Sequence, residues 1–319
     1  MPTISVIIPA YNAERTIVKT IQSVLQQTFS DFEIIAIDDG CTDRTLELLQ
    51  NIEDNRLKTF SYKNGGLPVA RNRGITRATG EFISFIDADD LWTPNKLELQ
   101  LAALQQNSMA GVAYSWTAYF MDGQEESIFP YKPVFFEGNV YDKLLVNNIV
   151  SNGSNILVRK QAIESVGKFE TTLKSCEDWD FYIRLAAKWH FALVPKHQIL
   201  YRQSSNAMTS KVEVMEQEAL RVIERAYQSA PSEYQFLKKR SFAWIYEYCT
   251  QQYLKYSNDI KGAKKASQKF LTAIRWYPQI LLGNYGRDLC VWLIKKWILV
   301  FLDRGRVVKH KILSFNSKY

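Results

Sequence analysis

The chain has 319 residues, 46% of them hydrophobic, which is enough for one large α/β domain with its own core plus an appendage. The four cysteines show no paired spacing and there are only three histidines, so neither a zinc site nor a disulfide framework can be read from the sequence. Residues 231–319 hold 17 Lys and Arg against 5 Asp and Glu, a net charge of +12, whereas residues 1–230 carry −5. This asymmetry predicts that the basic tail alone contacts an anionic surface, either a membrane or a nucleic acid.

The first sixty residues predict alternating strands and helices. Apolar runs at residues 4–8, 33–37 and 57–60 predict strands, and apolar residues at helical spacing predict helices over 14–27 and 45–52. This alternation is typical of a parallel sheet with right-handed crossovers. The first apolar run is short and lacks a basic start and a cleavage site, so we expect a strand, not a signal peptide, and a cytoplasmic protein.

A strand rich in β-branched and aromatic residues at 81–86 runs directly into the carboxylates of Asp87, Asp89 and Asp90. Carboxylates this close together repel unless a cation sits among them. Mg²⁺ and Mn²⁺ take oxygen ligands while they bridge to substrate phosphates, so the pattern indicates a metal site. An acidic turn that precedes the helix starting near Thr93 is the alternative interpretation.

Four loops follow predicted strands in the first hundred residues. Ligands of open α/β sheets bind beyond the carboxyl ends of the strands, so we expect these loops to converge on one crevice. The loops are residues 9–12, 38–43, 64–71 and 87–90.

The side chains of these loops match the parts of a nucleoside diphosphate. Tyr11 offers a ring for stacking, Asp39 an acceptor for the N–H edge of a base, and Arg71 a fork for phosphate, while Asp87 and Asp89 suit a metal. Taken singly, each also has a structural interpretation, such as a packed aromatic for Tyr11 or a surface charge for Arg71. Their order along the chain favours a joint site.

In this order, four segments closely resemble the successive signatures of family 2 glycosyltransferases with the GT-A fold. The resemblance extends from residue 3 to about residue 205 and is very specific in the first hundred residues. The segments are residues 5–14, 38–43, 70–75 and 87–90.

The resemblance implies which residues bind the nucleotide and the donor sugar: Pro9, Ala10, Tyr11, Asn12, Glu14, Asp38, Asp39, Arg71, Asp87 and Ala88. It implies that Asp39 contacts the base. It also implies that the motif formed by Asp87 and Asp89 binds the ribose and the ion, Mn²⁺ or Mg²⁺, that carries the diphosphate, with Asp89 as the metal ligand. Cys41 departs from the serine usual in the family, and a thiol is a weaker hydrogen-bond donor.

The second half of the chain carries a further acidic motif. Glu177 and Asp178 precede a predicted helix, where negative charge is favoured, so an ordinary N-terminal turn would explain them. They also resemble the family's Glu-Asp motif, which implies that Asp178 is the general base and that Trp179 lines the acceptor pocket. Arg202 is a candidate to bind the phosphates of the leaving group. The family often has a histidine shortly after this position, but residues 203–206 contain none.

From residue 212 onward the pattern becomes helical, with amphipathic stretches at 213–227, 234–256 and 260–277. Residues 288–302 are the most apolar segment, but two lysines interrupt it and it is shorter than the ~20 apolar residues of a spanning helix. We therefore expect an amphipathic helix at a membrane surface, with residues 288–311 as the contact. Packing within a helical appendage or a dimer is the alternative.

These observations predict a GT-A-like α/β domain at 1–210, with a nucleotide-binding half at 1–100 and an acceptor half at 101–210. A helical basic region follows at 211–319. The predicted fold is a Rossmann-like, mostly parallel sheet flanked by helices.

The predicted function is metal-dependent, inverting transfer of a sugar from a nucleoside-diphosphate sugar, with UDP favoured, to a hydroxyl group of a saccharide or lipid-linked acceptor. We expect the reaction to serve cell-surface polysaccharide or glycolipid synthesis at the inner face of the membrane. We expect no nucleic-acid partner. One alternative is a sugar nucleotidyltransferase, whose Gly-rich basic loop does not match residues 9–12. The other is a non-catalytic membrane or nucleic-acid binding protein, which leaves the acidic motifs unexplained.

Overall fold

In the computed structural model the described residues are 1–203, 211–257 and 259–315, with side chains described up to residue 302. The chain divides into two compact units, Met1–Ser205 and Asn206–Tyr319. Residues 204–206, where the sequence has no histidine after Arg202, lie outside the described residues, as does the domain boundary expected at residue 210.

The first unit is built around one sheet with the strand order β3-β2-β1-β4-β8-β6-β9-β5, and β7 pairs with β6. Its strands are β1 Ile4–Ala10, β2 Phe32–Asp38, β3 Leu57–Ser61, β4 Phe82–Phe85, β5 Leu91–Trp92, β6 Ala110–Met121, β7 Phe129–Pro130, β8 Leu157–Arg159 and β9 His190–Gln203. Its helices are α1 Ile17–Leu25, α2 Thr45–Gln50, α3 Leu67–Arg77, α4 Lys96–Gln106, α5 Tyr141–Val146, α6 Lys160–Val166 and α7 Glu177–Ala186.

The first half of the sheet is parallel. β1 and β2 are buried at every position, as expected for Ile-rich strands that are covered on both faces. β1 pairs in parallel with β2 and β4, and Ala10 lies opposite Asp38. Because parallel strands end at the same edge, the loops that carry the predicted nucleotide residues all start there. The predicted alternation of strands and helices is confirmed.

The second half reverses direction. β8 is antiparallel to both β4 and β6, so the segment that enters β8 returns to the edge where β4 ends. β9 runs parallel to β6 as a single strand that continues through Pro195. The register between the two strands shifts beside Trp116. This bulge accommodates Pro195, which has no N–H to donate to the ladder.

The second unit is helical, as predicted. Its long helices are α8 Val212–Ser229, α9 Lys238–Tyr256, α10 Ile260–Trp276 and α11 Asn284–Phe315, with 3₁₀ turns at Ser232–Leu237 and Pro278–Leu282. Phe242 of α9 stacks on Trp276 of α10 with ring centroids 4.5 Å apart, and the Tyr227 and Ser241 hydroxyls hydrogen-bond at 2.8 Å. Across the described part of the chain, none of the helices combines the length and apolar character that crossing a membrane requires.

Close packing of α3 on β1 depends on Gly74. A Cβ atom at this position would lie 2.3 Å from Cγ2 of Ile7. We expect Gly74→Val to lower the free energy of unfolding by about 1–3 kcal/mol, the usual cost of overpacking a core, as measured by urea denaturation. Thr76→Val on the exposed face of the same helix is the control and should cost less than Gly74→Val, because it removes only exposed hydrogen bonds to Asn72 and Lys168. An unchanged urea midpoint for Gly74→Val would contradict this packing.

Candidate active site

The loops after β1 and β2 are joined by side-chain to backbone hydrogen bonds. Oδ1 of Asn12 accepts from the Thr42 amide at 2.8 Å, and Oε2 of Glu14 accepts from the Arg44 amide at 3.0 Å. Asn12 has a φ of 49°, in the left-handed region that costs energy outside glycine, and these bonds hold it there. Tyr11, which precedes Asn12, is 56% exposed, so its ring is accessible for stacking.

Cys41 fits this junction without a serine hydroxyl. Its Sγ accepts from the Asn12 amide at 3.3 Å and donates to the Ala10 carbonyl at 3.5 Å. Burial, together with the neighbouring Asp38 carboxylate, raises the pKa of the thiol to about 11. The side chain therefore stays a neutral thiol near pH 7. Asp38 is itself buried and accepts from the Cys41 amide at 2.8 Å.

Asp39 organises the loop that leads into α3. Its carboxylate accepts from the amides of Gly65 and Gly66 at 3.0 and 2.8 Å and from Nη1 of Arg73 at 2.6 Å. The side chain is buried, and the three donors hold it at the start of α3. Its contact with a base stays a prediction. Arg73 was missed as a site residue, although it lies two residues from Arg71 on the same helix.

The acidic motif after β4 contains two kinds of carboxylate. Asp90 is fully buried, accepts from the Ser154 hydroxyl at 2.5 Å and accepts from the Arg202 amide at 3.0 Å. These bonds connect the end of β4 to the segment that enters β8 and to β9. Asp87 and Asp89 remain partly exposed. Burial, followed by the charge of Asp87, raises the pKa of Asp89 to about 6.

Among the described residues, no group of three or more Asp, Glu, His or Cys side chains is arranged to hold a metal ion by itself. Two partly exposed carboxylates at one strand end suit Mg²⁺ or Mn²⁺ instead. These ions are commonly held by one or two carboxylates and complete their coordination with substrate phosphates and water. Asp87 and Asp89 thus fit such an ion once a diphosphate is present.

Arg71 is 1% exposed and its fork binds two carboxylates. Nη2 donates to Oδ1 of Asp87 and Nη1 donates to Oε1 of Glu177, both at 2.6 Å. We expected this fork to bind phosphate. Instead it joins the acidic motif of the first half of the sheet to the acidic motif at the start of α7, and its contact with a diphosphate stays a prediction.

Asp178 occupies the first turn of α7. Its Oδ1 accepts from the Trp179 amide at 2.7 Å, and Nδ2 of Asn148 lies 3.4 Å from its Oδ2. Burial and the Glu177 carboxylate raise the pKa of Asp178 to about 7, while the Arg71 guanidinium opposes the rise. A carboxylate with a pKa near neutrality is suited to general-base chemistry. Asn148 was not among the predicted site residues.

Trp179 differs from expectation, whereas the role predicted for Arg202 stays untested. Trp179 is 3% exposed and its indole N–H donates to the Leu144 carbonyl at 2.7 Å, so it packs between α5 and α7 and does not line an open pocket. Arg202 donates through Nε to the Asp89 carbonyl at 2.8 Å and through Nη1 to the Asp122 and Glu125 carboxylates at 3.0 Å. Its role toward leaving phosphates stays a prediction.

The segment that enters β8 lies against the acidic motif. The Ser154 hydroxyl accepts from the Asp87 amide at 2.9 Å while it donates to Asp90. The Tyr182 hydroxyl of α7 donates to the Asn152 carbonyl at 2.9 Å. The structure thus connects this segment to the acidic motif after β4 and to the helix that begins with the second acidic motif.

The fold is shared with solved structures of two other proteins. TarS 1–349 from S. aureus, in complex with UDP-GlcNAc, superposes with a TM-score of 0.60 at 20% identity, covering 95% of this chain and 92% of that one. The mannosyltransferase PcManGT from Pyrobaculum calidifontis, in complex with GDP-Man and Mn²⁺, superposes with a TM-score of 0.59 at 14% identity, covering 95% and 88%. These similarities confirm the predicted GT-A fold.

The sequence signature of the family described as glycosyltransferase like family 2 matches residues 5–253, so the chain belongs to this family. TuaG of Bacillus subtilis, a putative teichuronic acid biosynthesis glycosyltransferase, is 37% identical over 166 residues, which cover 50% of this chain and 64% of TuaG. WfgD of Escherichia coli, a UDP-Glc:alpha-D-GlcNAc-diphosphoundecaprenol beta-1,3-glucosyltransferase, is 40% identical over 109 residues, covering 34% and 43%. An uncharacterized glycosyltransferase of Rickettsia bellii is 34% identical over 187 residues, and the match spans only 26% of its length.

Proposed function

We propose that the chain transfers a sugar from a nucleoside-diphosphate sugar to an acceptor hydroxyl with inversion. The observation that carries this proposal is the shared guanidinium of Arg71, which brings the Asp87 motif and the Glu177–Asp178 motif into one site. Membership of the family favours sugar transfer over nucleotidyl transfer and over a non-catalytic binding role. The general test is release of nucleoside diphosphate from a panel of nucleotide sugars with Mn²⁺.

Asp178 is the proposed general base. It accepts the proton of the acceptor hydroxyl as that oxygen bonds to the anomeric carbon, and the bond from this carbon to the diphosphate oxygen breaks. The electron pair leaves with the nucleoside diphosphate. Attack opposite the leaving group inverts the anomeric centre.

Asp89, together with Asp87, is the proposed holder of Mn²⁺ or Mg²⁺. When bound, such an ion supplies Lewis-acid stabilisation of the charge that develops on the departing diphosphate. The motif that carries both residues is fixed independently of any ion, because Ser154 and Arg202 bind the buried Asp90 beside them.

UDP is the proposed carrier of the donor sugar. Support comes from the UDP-GlcNAc in the TarS complex and from the UDP-Glc in the name of WfgD. The PcManGT complex contains GDP-Man, so a GDP-sugar is the alternative donor that the nucleotide-sugar panel would detect. Tyr11 and Asp39 are the residues that we propose to receive the base.

We propose a saccharide or lipid-linked acceptor used in cell-surface polysaccharide or glycolipid synthesis. TuaG carries teichuronic acid biosynthesis in its name, and WfgD is named for a diphosphoundecaprenol-linked acceptor. An acceptor with a lipid tail is held at a membrane surface, so the enzyme would need to reach that surface.

α11 supports this membrane proposal because its two faces differ in burial. Leu289 and Val300 are buried, and Lys296, only 7% exposed, donates to the Leu254 carbonyl at 3.3 Å, so it does not serve the membrane contact expected of it. The opposite face exposes Ile294 and Ile298 at 60% and 53%. The inward face therefore fits the packing interpretation, and the outward face is the one that a membrane contact would use.

We propose that the outward face of α11 binds the cytoplasmic face of an anionic membrane. The basic excess of the tail favours this occupant over another protein surface. Lys295 is exposed on this face. The side chains of Arg304, Arg306, Lys309 and Lys311 lie outside the described residues.

Asp178→Asn should reduce transfer by about 10²- to 10⁴-fold, because the amide cannot accept the acceptor proton. Affinity for UDP with Mn²⁺, measured by calorimetry, should persist. In the unmodified protein, transfer should fall as the pH drops through about 7, because protonation of Asp178 removes the base. Asp180→Asn, on the same helix turn, should keep the pH profile. Loss of UDP affinity in Asp178→Asn would assign Asp178 to the nucleotide site.

Asp89→Ala should abolish the Mn²⁺-dependent part of UDP binding and leave the fold intact, since the residue lies at a strand end. Calorimetry with UDP, with and without Mn²⁺, measures this difference. Glu81→Ala, at the other end of the same strand, is the control and should bind as the unmodified protein does. Full turnover by folded Asp89→Ala protein would refute the assignment.

Ile294→Glu combined with Ile298→Glu should reduce flotation of the full chain with anionic vesicles at low salt, because it places charge in the face proposed to enter the headgroup region. Leu271→Glu, at an exposed apolar position of α10, is the matched control. Flotation of the unmodified chain should weaken as salt rises. Equal flotation of all variants would mean that α11 does not bind the vesicles.

A further inference from the structure

The guanidinium of Arg71 is enclosed on several sides. Beyond its two carboxylate partners, its Cζ lies 5.3 Å from the centre of the Phe169 ring. A Cβ atom on Gly153 would lie 2.1 Å from Nη2, so the backbone of the segment entering β8 closes the remaining side. Arg71 is therefore closely packed, and its two carboxylate partners share one guanidinium.

A second connection runs beside the charged one. Phe169 contacts Phe85 at the end of β4 edge to face, with ring centroids 5.2 Å apart, and contacts Phe181 of α7 at 4.3 Å. Asn72, next to Arg71 in the chain, binds the backbone of Phe169 twice, with its side chain accepting from the amide at 2.9 Å and donating to the carbonyl at 2.8 Å. Ionic and aromatic contacts therefore join the same two elements, β4 and α7.

We infer that Arg71 is a positioning residue that couples the donor motif to the catalytic motif. This inference rests on the proposed function. A nucleotide that interacts with the Asp87 carboxylate weakens the hydrogen bond between Asp87 and Arg71, which alters the bond between Arg71 and Glu177. Glu177 directly precedes Asp178 in the chain, so this change reaches Asp178. Binding of donor is thereby linked to the placement of the base at the start of α7, and by reciprocity changes at Glu177 alter the affinity for nucleotide.

Charge-assisted bonds in a buried site are strong enough for this role, because little water screens them. A purely structural salt bridge would also be buried, but it would influence stability alone. The two interpretations differ in whether Glu177 affects nucleotide binding through Arg71.

The first measurement is a cycle of unfolding equilibria that needs no ligand. Asp87→Asn and Glu177→Gln are combined in the unmodified chain and in the Arg71→Lys chain, since a lysine lacks the fork that binds two carboxylates at once. In the unmodified chain we expect the two substitutions to deviate from additivity by about threefold or more in the unfolding constant. In the Arg71→Lys chain we expect them to become additive. Additivity in both backgrounds would overturn the inference.

The second measurement is calorimetric affinity for UDP and for GDP with Mn²⁺. Glu177→Gln should change the affinity by about fivefold or more, and the change should vanish in Arg71→Lys. Arg184→Lys is the control, because Arg184 pairs with Asp180 on α7 and should lower stability without changing nucleotide affinity. Unchanged affinity in Glu177→Gln with lowered stability would reduce Arg71 to a structural bridge and overturn the inference.

Gly153→Ala provides a second variant if Arg71→Lys fails to fold, because its Cβ displaces Nη2 while the charge is kept. It should remove the coupling in the same way. If neither nucleotide binds the unmodified protein, the proposed donor class fails and the inference fails with it. If a nucleotide binds and Glu177→Gln leaves its affinity unchanged, the inference alone fails.

Discussion

A site that gathers several carboxylates away from water needs a cation among them, and this electrostatic constraint shapes the first unit. Arg71 supplies the charge between Asp87 and Glu177, with 2.6 Å contacts to each. Leaving a buried charge without its partner costs several kcal/mol, so the guanidinium stabilises above all the buried Glu177 carboxylate, while Asp87 stays partly exposed. The placement of α3, which carries Arg71, is therefore as important for the site as the two acidic motifs.

The architecture meets this constraint by bringing three elements to one edge of the sheet. β4 delivers Asp87, α3 delivers Arg71 and α7 begins with Glu177. Among the described residues, the non-glycine positions with positive φ are Asn12, Ser151 and Cys176, and each lies in a loop of the site. Local backbone strain is thus concentrated where side chains must be aimed, which is common at functional sites.

The sequence was sufficient to predict elements whose signal is local. Buried strands such as Ile4–Ala10 and the acidic run after β4 follow from neighbouring residues, and the order of motifs predicted the GT-A fold. The partners of Arg71 could not be predicted this way, because Glu177 lies 106 positions away and any exposed phosphate would suit the same fork. The inward packing of Trp179 could not be predicted for a related reason, since an aromatic residue at a helix start packs equally well inward or outward.

The thiol at position 41 has a chemical consequence. Oxidation and alkylation proceed through the thiolate, and with a pKa of about 11 the Cys41 side chain holds very little of that form at neutral pH. Its sulfur is also engaged by the Ala10 carbonyl and the Asn12 amide. The loop after β2 thus carries a cysteine whose thiolate fraction is small at neutral pH, which disfavours its reaction with peroxide.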